Sequence, residues 1–174
     1  MRASPTTMVS GGSPAIQAIV QGGLVAGALD ATNGVVAYFL AFKMKPIQVL
    51  QYIASGLLGQ AAFAGGLATA GVGLLVHFAI AFSVAAVFWF VSDRWPLLRE
   101  RALAAGLVYG TGVYLVMNYV VLPFLSRVAP GWPTLPLFLN GVIGHALFVG
   151  LPVSLAARRA RTGGRPFDQG LGAP

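Results

Sequence analysis

Residues 65–91 read GGLATAGVGLLVHFAIAFSVAAVFWFV and contain no Asp, Glu, Lys or Arg. A helix of roughly 20 residues crosses a hydrocarbon core of about 30 Å, so this stretch is long enough to span a bilayer. Three more apolar stretches flank it, Ala15 to Phe42, Ala102 to Leu122 and Leu135 to Ala157. Asp30 interrupts the first and Asn118 the third; the two histidines apart, the other groups that carry charge sit almost entirely at the ends. With 57% hydrophobic and 9% charged residues in 174, the composition suits lipid rather than water as the solvent. The spacing predicts an all-α, multi-pass integral membrane protein, one four-helix transmembrane domain over residues 15–157.

Residues 1–14 read as a flexible leader and residues 158–174 as a basic, disordered tail, rich in Gly and Pro beyond Thr162. The first apolar run is too long for the core of a cleaved signal, so it reads as a retained anchor helix. Between the first two spans, Pro46 suits a first helical turn. From there Gln48, Gln51, Tyr52, Ser55 and Gly59 share one side, and Ile47, Leu50, Ile53, Ala54, Leu57, Leu58 and Ala61 fall on the other. An amphipathic helix over 46–63 follows, lying at the outer interface, or re-entrant and lining a cavity. The matching connection, Pro123 to Pro136, reads as extended. Trp89, Trp95 and Trp132 fall near span ends and read as interfacial anchors.

A net charge of +7 raises the question of nucleic acid, and the positions of the cations answer it. Arg2, Arg94, Arg99, Arg101, Arg158, Arg159, Arg161 and Arg165 flank one side of the four spans, against Lys43, Lys45 and Arg127 on the other. The positive-inside rule then places both termini in the cytoplasm. No aromatic residues interleave with the arginines, so the expected partner is the bilayer and not a nucleic acid. The chain has no cysteine, which excludes disulfides and thiol chemistry.

The spans also repeat. Gly23-Leu24-Val25-Ala26-Gly27 matches Gly106-Leu107-Val108-Tyr109-Gly110, and Gly73 to His77 matches Gly141 to His145 as Gly-x-x-x-His. The expectation is an internal repeat of two tandem hairpins related by a pseudo-twofold axis along the membrane normal. Gly23, Gly27, Gly34, Gly73, Gly106, Gly110 and Gly141 read as helix-packing positions, since small residues let helices approach in lipid. Asp30 continues the face of Gly23, Gly27 and Gly34, so its carboxyl points into the bundle. Position 113, its counterpart, is Val.

His77 and His145 fall near mid-depth at 1.5 Å per residue. With Asp30 and Asn118 they form a candidate interior polar or proton site. Three readings stay open: proton-coupled passage of a solute or ion, a b-type haem held axially by His77 and His145, and a structural subunit of a larger membrane complex or homo-oligomer in which the polar groups specify packing. No metal site and no resident cofactor are expected in the first reading. Thr111, Tyr114 and Asn118 share a face that lines a polar cavity or bonds a neighbouring helix. Pro152 frees a carbonyl near His145 and kinks its helix. No nucleophile elbow, phosphate loop or zinc-protease signature occurs, and the four acids do not pair, so no enzyme is expected.

The runs Val49-Leu50-Gln51-Tyr52-Ile53-Ala54-Ser55-Gly56-Leu57-Leu58-Gly59 and Leu75-Val76-His77-Phe78-Ala79-Ile80-Ala81, with Tyr114-Leu115-Val116-Met117-Asn118 and Val121-Leu122-Pro123, resemble a family of uncharacterised four-helix bacterial inner-membrane proteins. The resemblance spans roughly Gly22 to Ala157. It implies a bacterial cytoplasmic membrane and brings no activity with it.

Overall fold

The computed structural model describes residues 13–127, 131 and 133–162. Among these there is no strand, and four helices are long and apolar enough to cross a membrane. They are α1 (Pro14–Phe42), α3 (Gly66–Arg94), α5 (Ala102–Leu125) and α6 (Leu135–Thr162). Between them lie α2 (Pro46–Leu58), extended by a 3-10 turn Gly59–Ala64, and the single-turn α4 (Leu97–Glu100). Large alkyl side chains cover the outside, with Leu67, Leu75, Val108 and Phe124 each more than 70% exposed. In water that surface would be costly; in lipid it is the solvated face.

Each helix end has a local cause. Pro14 and Pro46 stand in the first turns of α1 and α2, where a missing N–H costs nothing. Gln48 Oε1 accepts the Lys45 N–H at 2.8 Å and caps α2. The helices run beyond the predicted ends at Val91, Leu122 and Ala157 to Arg94, Leu125 and Thr162. Residues 158–162 are therefore helical and not part of a disordered tail. The leader up to residue 12, the tail from 163 and Trp132 lie outside the described residues.

Packing is set by glycine. Across α1 and α3, Gly23 and Gly27 face the rings of Phe82 and Phe78. Across α5 and α6, Gly106 faces Gly150 and Ser154, and Gly110 faces the backbone of His145 and Ala146. Both hairpins are thus antiparallel. The central seam joins α1 to α6, where Gly22 lies against Val153 and Ala156, and Ala26 is fully packed. By contrast, α3 and α5 barely approach each other. Gly73 packs on Leu50 and Ala54 of α2, and Gly141 on the Tyr114 ring. Gly34 departs from expectation: a side chain there would meet nothing within 4 Å.

Prolines reshape α5 and α6 without ending them. Pro123 and Pro152 have no N–H for the carbonyl four residues back, and the helix widens just before each. Leu122 N–H bonds Met117 O and Leu151 N–H bonds Ala146 O, both one residue wider than α. Pro123 lies inside α5 rather than in an extended connection. These π turns, Met117–Val121 and His145–Gly150, contain Asn118 and His145.

One polar cluster closes the arginine-rich end. Asp93 bonds Arg99 at 3.2 Å and also Arg161, tying α3, α4 and α6 together. Arg161 stacks 4.9 Å from the Trp89 ring. Trp89 is buried beneath it at 4% exposure, so it is a core residue and not a membrane anchor; Trp95 is exposed.

Candidate functional site

The gap between α3 and α5 is a cavity of about 330 Å³. Its floor and back wall come from Ala26, Gly27 and Asp30 of α1 and from His145 and Val149 of α6. His77 borders it from α3 and Asn118 from α5, so all four polar residues singled out by the sequence share one cavity. The remaining surface is mostly alkyl. Tyr52, Ser55 and Gly56 of α2 close it at the outer end.

α2 is held there by its polar side. Gln51 Nε2 donates to Gly66 O at 3.1 Å, and Arg127 N–H donates to Gly56 O at 2.9 Å. Gln51 and Ser55 are buried while Leu57 and Leu58 face outward. Gln51 and Ser55 thus turn into the bundle together with Val49 and Ala54, while Gln48 stays exposed.

Each imidazole is anchored separately. His77 Nε2 lies 2.8 Å from Gly27 O, across the α1–α3 seam. His145 Nδ1 lies 3.0 Å from Gly141 O on its own helix, with the Tyr114 ring edge-on at 5.3 Å. A carbonyl only accepts, so these two nitrogens carry the hydrogens. In the neutral state His77 Nδ1 and His145 Nε2 then hold lone pairs. Asp30 Oδ1 is 3.7 Å from His145 Nδ1, and both side chains are 20% exposed. That is an ion pair when the imidazole is protonated. Asn118 Nδ2 donates to Tyr114 O at 3.0 Å, meeting backbone at the π turn. Comparison with protein-family models, curated proteins and solved structures finds no match.

Among the described residues no three potential metal ligands converge. Tyr114 packs on Gly141 and Phe138 beside His145, so of the face Thr111, Tyr114 and Asn118 only Asn118 borders the cavity.

Sequence reasoning gave no role to Tyr109, which sets the inner end. Its hydroxyl donates to Val84 O at 2.7 Å and its ring meets Phe88 at 5.0 Å, edge-on. It is the prop that holds α5 off α3. The signal was present, because Tyr109 is the sole difference between the two repeated pentapeptides and Ala26 stands in its place at the closed seam. Tyr109→Phe is expected to lower stability by about 0.6 kcal/mol, the worth of an interhelical hydrogen bond in a bilayer. Titration of detergent-solubilised protein with SDS measures it, and an unchanged midpoint would show the hydroxyl is not spent on Val84.

Proposed function

We propose that the protein is a non-catalytic, multi-pass protein of a bacterial cytoplasmic membrane, with both termini cytoplasmic, that binds a small solute and a proton in the α3–α5 cavity. One observation carries this reading: Asp30, His77, His145 and Asn118, spread over four helices, border a single cavity. An ionisable group inside a bilayer costs about 2.5–3.5 kcal/mol on insertion scales, and two histidines beside an acid form a proton-exchanging set. Proteoliposomes with an internal pH dye provide the test. Wild type is expected to conduct or exchange protons, and Asp30→Asn, His77→Ala and His145→Ala each to abolish the response. A response unchanged in Asp30→Asn removes the proposal.

The second reading is a b-type haem between His77 and His145; it would need His77 to release Gly27 O, because haem iron takes imidazole Nε2 and that nitrogen is spent there. Purified protein without Soret absorption after haem addition would remove it.

The architecture behind the site is read as a duplication. Contact pairs 23/82 and 27/78 in the first hairpin match 106/150 and 110/146 in the second, at one constant shift per helix, which also carries His77 onto His145. A pseudo-twofold axis would make α1–α6 and α5–α3 equivalent seams. The first holds Ala26 and is shut; the second holds Tyr109 and is open. The cavity is thus the broken half of the symmetry. We read α2 as re-entrant, since Gln51 and Ser55 face inward and Leu57 and Leu58 outward.

A further inference from the structure

Resting on that reading, we propose that the solute is a lipophilic amine, an ammonium head on an alkyl body, which enters sideways from the bilayer between α3 and α5.

Access comes first. The inner end is barred by the Tyr109–Val84 bridge and the outer end by α2, pinned at Gly66 and Arg127. Behind, α1 and α6 are sealed at Gly22 and Ala26. Among the described residues, the side left is the slot between Ile80 and Val84 of α3 and Val113 and Met117 of α5, all bordering the cavity. The outward faces of those two helices carry exposed Leu75, Val87, Val116 and Val120. A molecule reaching such a slot arrives through hydrocarbon, so most of its surface is apolar. The alkyl walls of the cavity suit the same body.

The head group follows from donor accounting. His77 and His145 spend their ring N–H groups on carbonyls, leaving acceptors when neutral. Ionised Asp30 only accepts, and Asn118 spends one N–H on Tyr114 O. The cavity is rich in acceptors, and with neutral imidazoles its charge is −1. Its complement is a cation with several N–H donors. Protonation of His145, 3.7 Å from Asp30, supplies that cation internally and displaces the amine. The other titratable groups around Asp30 and His145 are His77 from α3, Tyr114 from α5 and Tyr52 from α2.

The test uses full-length protein in phosphatidylcholine nanodiscs and a dodecylamine carrying a diazirine in its chain. Photolabelling is expected on peptides bordering the slot. Dodecylamine is expected to suppress it at a concentration at least about 30-fold lower than dodecanol, the scale of losing one partner of a buried charge pair. Asp30→Asn should abolish that preference and Asp30→Glu keep it, which separates lost charge from lost fold. Equal competition by the amine and the alcohol, or labelling outside the slot, overturns the amine. Labelling is also expected to fall as the pH is lowered and a proton takes the amine's place beside Asp30. Amine-selective, Asp30-dependent labelling that ignores pH would leave the amine site standing and refute the proton reading. Proton exchange through Asp30 without amine preference would do the reverse.

Discussion

Gly110→Ala and Gly150→Ala are each expected to lower stability by at least about 1–3 kcal/mol, and Gly110→Leu to prevent assembly of the bundle. The cause is backbone against backbone. A methyl on Gly110 would collide with His145 O and lie 2.8 Å from Ala146 Cα; one on Gly150 would collide with Gly106 O and lie 2.8 Å from Gly110 N. No rotamer change relieves either clash, so α5 and α6 must separate along the seam that positions His145. Gly23→Ala and Gly27→Ala test the same geometry against softer partners, the rings of Phe82 and Phe78, and should cost less. Gly71→Ala and Gly112→Ala serve as controls. Nothing lies within 4 Å of a side chain at either, and removing a helical glycine gains up to about 1 kcal/mol. SDS-unfolding midpoints of the six alanine variants should fall in that order. Gly150→Ala unfolding alongside Gly112→Ala would show that α5 and α6 do not touch through glycine.

Much of this was written in the sequence because lipid leaves a helix few choices. Without water, backbone groups must bond within the segment, so length and apolarity alone give α1, α3, α5 and α6. The glycine pairs at spacing four were legible for the same reason, as small residues are what let helices meet there. Helical spacing gives a face, however, and not whether a neighbour reaches it. Gly34 shares the face of Gly23 and Gly27, but the register of that seam carries it to the level of Gly71, which is equally open; there α3 packs on α2, through Gln51 and Thr69. Trp89 misled because its lid is assembled from afar: Arg161 comes from the end of α6, 72 positions along the chain. The cavity followed least from pattern, because its width depends on the distance between α3 and α5. Across that distance one side chain, Tyr109, reaches one carbonyl.

Val113→Phe is expected to abolish amine labelling and the proton response while leaving the unfolding midpoint level with wild type or above it. Val113 borders the cavity on α5, packed at its base against the core and facing the space that Asp30 borders from α1. A benzyl group has room in about 330 Å³, so it displaces contents rather than neighbours. The added carbon, worth about 0.8 kcal/mol per buried methylene in water and less where lipid filled the space, favours the folded bundle. Loss of function alongside retained or raised stability is the pattern of a site kept hollow for use. It also separates binding from folding more cleanly than a change at Asp30, because no charge, hydrogen bond or helix seam is altered. Full labelling in Val113→Phe would mean that the ligand sits elsewhere. A lowered midpoint would mean that α3 and α5 are already in contact at this level, which would remove the cavity itself.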